Sequence, residues 1–296
     1  MSESAARREQ EKTTNPIGVF MDCLGKPEPD AALAAVRAVG LDLIQVGKLP
    51  DRFYCPAGAA EFGDLMRRHG IRAASVVMVF DGERYDDVRA VQETVGYRPS
   101  RFLAERLAYS RKCVDLAAAL GVGIVTTHIG YLPREVNDPV YQQMFRATRE
   151  VAAYAAARGV TLSLETGQET GEELAAFLDR IPEYRIGVNF DTANLILYGM
   201  EDSPGALRRL LPRVTSVHVK DGLPPAQPGA LGVETRLGEG KGQVRECLAL
   251  LRQANFRGPL IIENYVAAVR GTDPADEVRR AKEFIERALA AIGGSS

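Results

Sequence analysis

The sequence predicts an α/β protein of the (β/α)8 TIM-barrel class. Three observations predict it. Eight short β-branched runs alternate with longer stretches whose apolar residues recur at helical spacing. The chain, at 296 residues, is only slightly longer than the roughly 250 residues typical of such barrels. No G-x-G-x-x-G follows the first run, so the competing doubly wound sheet lacks its dinucleotide-binding signal.

The elements follow in order. IGVFM (17–21) opens the series, and AALAAVRAVG after it has helical spacing, with Gly40 placed as a C-cap. LIQV (43–46) is the second strand, and Gly70 closes the helix behind it. AASVVMVF (73–80) is the third, followed by a long connection over residues 81–100. RFLAERLAYSRKCVDLAAALG reads as a helix ending at Gly121, before the fourth strand, GIVTTH (123–128). YQQMFRATREVAAYAAARG ends at Gly159, before VTLSLE (160–165). IGVNFD (186–191) and VTSVHV (214–219) are the sixth and seventh strands, and a second long connection spans residues 222–242. LIIEN (260–264) is the eighth, and PADEVRRAKEFIERALAAI the closing helix. Both long connections follow strand C-termini, where barrel enzymes keep their chemistry, and are expected to act as lids.

One barrel domain over residues 16–292 is expected, with a polar tail at 1–15 and a flexible end at 293–296. Apolar residues make up 46% of the chain, enough for a large core. Lys and Arg number 37 against 39 Asp and Glu, for a net charge of -2, so there is no basic excess to neutralise phosphates. Nucleic acid is therefore not an expected partner. MSESAARREQEKTTN lacks the apolar segment of a secretory signal, and no run suggests a membrane span. Cys23, Cys55, Cys113 and Cys247 are widely spaced without a C-x-x-C pair, which points to a reduced, cytoplasmic protein.

Strand alternation sorts the polar residues. Leu162 and Leu164 share one face of the fifth strand, Ser163 and Glu165 the other. Asn189 and Asp191 oppose Val188 and Phe190. Ser216, His218 and Lys220 oppose Val217 and Val219, and Glu263 shares a side with Ile261. With the apolar faces under helices, the last inward residues are Glu165, Asp191, His218 and Glu263. Three carboxylates crowded at one rim raise each other's pKa unless a cation sits among them. A divalent metal satisfies that demand. Mostly oxygen donors with one nitrogen suit Mn2+ best, with Mg2+, Co2+ and Zn2+ also compatible. His128, at the end of the fourth strand, Asn194 and Lys220 are candidates for substrate contact. Asn194 could instead cap a helix, and Lys220 could pair with Asp221 or another carboxylate. Asp22 and Gln45 are weaker candidates.

The motifs LSLET, GVNFDTAN, SVHVKD and LIIENY, with LGEGKG after strand seven, resemble the xylose isomerase-like barrel superfamily of sugar isomerases and epimerases. Ketose 3-epimerases, inosose dehydratases and hydroxypyruvate isomerases are similar. The resemblance implies that Glu165, Asp191, His218 and Glu263 bind one divalent ion, and that the two glutamates exchange protons with the substrate through a metal-stabilised enediolate. It implies a small sugar or polyol as partner: a ketose, keto-sugar or cyclitol. The chain departs from the ketose epimerases in two places. Asn194 stands where they often have His, and their Arg after the strand-seven His has no counterpart beside Pro224 and Pro225. A lyase that expels a β-hydroxyl from the same intermediate is the alternative, ahead of an abasic-site endonuclease or a non-catalytic barrel. Barrels of this kind often pair as homo-oligomers, although the sequence leaves that state open.

Overall fold

A computed structural model describes residues 15–293. Most of the expected N-terminal tail (1–14) and the last three residues (294–296) lie outside the described residues. Asn15, assigned to the tail from sequence, donates its amide to the carbonyls of Phe256 (3.0 Å) and Gly258 (2.9 Å). The barrel strands are β1 (Ile17–Phe20), β2 (Leu43–Val46), β3 (Arg72–Val77), β4 (Ile124–Thr127), β5 (Thr161–Glu165), β6 (Gly187–Asp191) and β7 (Val214–Val219). A short pair, β8 (Asp221–Leu223) and β9 (Val233–Thr235), precedes the last barrel strand, β10 (Leu260–Ile262). All eight barrel pairings are parallel, and the sheet closes in the order β1-β10-β7-β6-β5-β4-β3-β2. This is the (β/α)8 barrel that the alternating pattern predicts.

Each barrel strand is followed by a helix that covers its apolar face. Leu162, Leu164, Val188, Phe190, Val217, Val219 and Ile262 are all buried there. Gly40, Gly70, Gly121 and Gly159 all have positive φ, as expected where a helix turns back toward a strand. No helix among the described residues is long and apolar enough to cross a membrane. Several strands are shorter than expected: Met21 already belongs to a 3-10 turn, β3 stops at Val77, and Glu263 lies one residue beyond β10.

Between β6 and β7 the register slips, pairing Val188 with Val214 but Asn189 with Ser216. Thr215 is the extra residue of this bulge, and its hydroxyl lies 2.7 Å from that of Ser163 on β5. Gly187 makes room, since a Cβ there would stand 2.4 Å from Thr215 Cγ2.

The two long connections are partly regular. Residues 81–100 contain a helix, Val88–Thr94, capped by the Asp87 carboxylate on the Ala90 N–H. The 222–242 connection forms the antiparallel β8–β9 hairpin and then wraps its glycines around the Asp221 carboxylate. That carboxylate accepts from the N–H groups of Gly222, Gly238, Gly240 and Gly242 at 2.8–3.1 Å. Behind the hairpin, Arg236 grips the buried Glu277 of the last helix with two hydrogen bonds, 2.8 and 2.6 Å, and Thr272 adds a third.

Those Arg236 bonds hold the Glu277 carboxyl down at about 2, against burial, which pushes it up. A depressed folded-state pKa contributes stability above the unfolded value and loses it as pH falls toward the folded one. Glu277→Gln is therefore expected to destabilise by about 1–3 kcal/mol at pH 7. The difference from wild type should shrink as pH drops from about 4.5 toward about 2. Thermal denaturation across that range checks this, and a gap that stays constant would count against it.

Candidate active site

The C-terminal ends of β5, β6, β7 and β10 deliver four side chains to one point. Glu165 and Asp191 are the last residues of their strands, His218 is the penultimate residue of β7, and Glu263 follows β10. The register pairs His218 with Asp191 on one side and with Ile261, two residues before Glu263, on the other; Glu165 pairs with Asn189, two residues before Asp191. One donor atom from each lies within 4.8 Å of those of the others. Nδ1 of His218 is the focus: Glu263 Oε2 is 2.9 Å away, Glu165 Oε1 3.1 Å and Asp191 Oδ2 3.6 Å.

Each group is braced from behind. Asp191 Oδ1 accepts from the backbone N–H groups of Ala193 (2.7 Å) and Asn194 (2.8 Å), which leaves Oδ2 buried with no hydrogen-bond partner. Nε2 of His218 hydrogen-bonds the Gln45 side-chain oxygen, and the Phe20 ring stacks on the imidazole at 6.3 Å. Without an ion, Nδ1–H donates to the Glu165 carboxylate, beside that of Glu263. Because Gln45 holds the Nε2–H, Nδ1 is the nitrogen that would be freed for a metal once that proton leaves. Glu165 Oε1 accepts from Asn194 Nδ2 (3.1 Å) and lies 3.2 Å from His128 Nε2.

The electrostatics are those of a crowded, dry site. Burial pushes the Glu165 carboxyl up, but the imidazoles of His128 and His218 outweigh it and hold the group well below the usual range. Glu263 is likewise raised by burial and brought down to about 2 by Lys220 and His218. Burial lowers His128, yet the Glu165 charge lifts it to about 9. Lys220 is within 2.7 Å of Glu263 Oε2 and 3.6 Å of Asp191 Oδ2, and it donates to Asn194 Oδ1 at 3.3 Å. A divalent ion among the three carboxylates would take over charge compensation that Lys220 and the two imidazoles supply in its absence. The unpartnered Oδ2 of Asp191 and the O3N donor set fit such an ion.

The structure thus brings together all seven residues singled out from sequence. Asn194 does not cap its short helix; it bridges Glu165 and Lys220, and Asp191 takes the capping role. Lys220 pairs with Glu263 and Asp191, not with Asp221, whose carboxylate is spent on the glycine loop. Gln45, a weak candidate from sequence, proves to be the partner of His218, while Asp22 packs on Gly47 and accepts from the Lys48 N–H.

Above the cluster opens a cavity of about 420 Å3. It is lined by Glu165, His218, Lys220, Glu263, His128 and Asn194, and also by residues the sequence did not single out: Glu83, Tyr85, Tyr198, Leu231, Glu234 and Tyr265. Most of them sit on loops where no strand parity gives a direction, and Glu234 is placed by the β8–β9 pairing and by the Tyr265 N–H.

Comparison with known proteins agrees with the geometry. A family model described as the xylose isomerase-like TIM barrel matches residues 33–288. L-ribulose-5-phosphate 3-epimerase UlaE of Escherichia coli (strain K12) is 25% identical over 199 residues, covering 64% of this chain. The match spans 66% of the length of that relative. A xylose isomerase domain protein from Planctomyces limnophilus superposes with a TM-score of 0.85 at 29% identity, covering 96% of this chain and 99% of that one. A xylose isomerase-like TIM barrel protein from Mycobacterium smegmatis, solved in complex with magnesium, has a TM-score of 0.72 at 20% identity, covering 94% and 98%.

Proposed function

This chain belongs to the xylose isomerase-like TIM barrel family, and from that premise we propose that it is a divalent-metal-dependent isomerase or epimerase acting on a ketose, keto-sugar or cyclitol. One observation carries the reading: two buried carboxylates, Glu165 and Asp191, and the partly buried Glu263 converge on Nδ1 of a single histidine, and the nearest Asp191 oxygen has no hydrogen-bond partner.

Glu165, Asp191, His218 and Glu263 would hold the ion, with Mn2+ the leading candidate. When bound, the ion supplies Lewis acidity to a sugar carbonyl and the adjacent hydroxyl. Glu165 and Glu263 are the acid–base pair: one takes the proton from the carbon beside the carbonyl, and the other returns a proton. Without the ion, the neighbouring imidazoles and Lys220 hold both carboxyls ionised. In the reaction one glutamate starts as the carboxylate base and the other as the carboxylic acid whose proton is returned to carbon, and the two end with their protonation states exchanged. His128, Asn194 and Lys220, which line the cavity, bind substrate oxygens. Enclosure by the two lids excludes water and strengthens each of these contacts.

Incubation of the Mn2+-loaded protein with candidate ketoses in D2O tests the reading. Deuterium should enter the carbon beside the carbonyl, with an epimer or an aldose as product. An unsaturated product would make the enzyme a dehydratase, and no exchange with any ketose would sink the proposal.

Gln45 provides a separate check on the metal. Gln45→Leu is expected to weaken Mn2+ binding by about 10- to 100-fold, because the imidazole loses the group that fixes its tautomer. Gln45→Glu should retain affinity. Calorimetric titration with Mn2+ alone reads both, and equal affinity in Gln45→Leu would remove the role given to Gln45.

A further inference from the structure

Beyond the four clustered groups, part of the cavity wall comes from the two long connections. One brings in Glu83 and Tyr85; the other brings in Leu231 and Glu234. The connections meet, since the Val88 N–H donates to the Gly229 carbonyl at 3.1 Å. Both carboxylates are held in place. Glu83 accepts from the Gly96 N–H (2.8 Å) and from the Tyr85 hydroxyl (3.2 Å), and Glu234 accepts from the Tyr265 N–H (2.6 Å).

Recognition of a phosphate ester ordinarily uses arginine or lysine. Among the described residues lining the cavity there is no arginine, and Lys220 is the one lysine. Its ammonium stands at the reacting end, beside Glu263 and Asp191. A phosphate on the substrate tail would instead meet the carboxyls of Glu83 and Glu234, which burial already pushes up, Glu234 to about 7, so that further negative charge beside them is disfavoured. Sugar hydroxyls fare differently, because each can donate to a carboxylate oxygen. The rings of Tyr85, Tyr198 and Tyr265 add apolar faces with a polar tip, suited to the C–H faces and hydroxyls of an uncharged sugar.

We propose that Glu83 and Glu234 form a distal subsite that accepts an uncharged polyhydroxyl tail and rejects a phosphate ester, so that the substrate is a neutral keto-sugar. This rests on the isomerase reading above, and it differs from the phosphorylated sugar named for the Escherichia coli relative. Discrimination comes from repulsion of the wrong tail as much as from attraction of the right one.

The test uses the Mn2+-loaded protein with D-fructose, L-ribulose and other free ketoses, each paired with its terminal phosphate ester. Calorimetry measures binding, and NMR in D2O measures exchange at the carbon beside the carbonyl. The free sugar of the active pair is expected to bind at least about tenfold more tightly than its ester. In Glu83→Gln and Glu234→Gln, which keep the backbone hydrogen bonds, the ratio should narrow while melting curves stay cooperative. An ester that binds or exchanges as well as the free sugar overturns the distal subsite and leaves the isomerase reading intact. A ratio unchanged in both variants overturns the role of the two carboxylates. Absence of exchange and binding with every pair defeats the isomerase reading and this inference with it.

Discussion

Glu165→Gln and Glu263→Gln, made singly, are each expected to lower metal-dependent hydrogen exchange on the substrate by at least about 10^3-fold. Each change removes a proton carrier and weakens a ligand at once. Gln retains the shape and one oxygen, so Asn194 can still bond to position 165 and Lys220 can still approach position 263. The expected loss is therefore chemical and not a failure to fold, and circular dichroism with a cooperative melt should confirm that. Of the two, Glu165→Gln should also release His128, which loses the charge that holds it at about 9. Activity within about tenfold of wild type in both variants would mean that the proton carriers lie elsewhere.

Metal removal is the second large effect. Exhaustive chelation should abolish exchange, and Mn2+ should restore it. Binding to the folded state alone stabilises by mass action, about 2.7 kcal/mol when free ion is a hundredfold above Kd. For a chain of this size that corresponds to a rise in Tm of roughly 5 °C. Asp191→Asn should lose the Mn2+-dependent rise, because the unpartnered oxygen becomes an amide or turns away while the other still caps the turn. His218→Gln should lose it as well. Thermal melts with and without Mn2+ read this directly, and a full rise in either variant would place the ion at other groups.

Much of this site was legible before any coordinates, and the reason is the period of two in a strand. Once Leu162, Val188 and Val217 are assigned to the helix-covered face, Glu165, Asp191 and His218 have only one direction to point. Glu263 was reachable the same way, through Ile261, even though β10 ends one residue earlier. Gln45 carried a weaker signal. All four residues of β2 are buried, so a lone amide among Leu, Ile and Val shows no alternation to read, and its partner lies 173 residues away.

The two long connections were the least legible part. The Asp87 cap before Val88 and the glycines around Asp221 are local signals that fix local turns. What brings Glu83 and Glu234 into one cavity is the contact between the two connections, from Val88 to Gly229, which no spacing in the sequence encodes. Asn194 shows a different limit. Its position after β6 suits a cap, but Asn194 is already the first residue of the helix and its side chain turns to Glu165 and Lys220, while Asp191 accepts from the N–H groups of Ala193 and Asn194.

Anomalous diffraction from crystals soaked in Mn2+ tests the shared cation most directly. One peak should appear at the mouth of the barrel, coordinated by a carboxylate oxygen from each of Glu165, Asp191 and Glu263 and by Nδ1 of His218. A peak held by other side chains, or none at saturating Mn2+, would contradict the account.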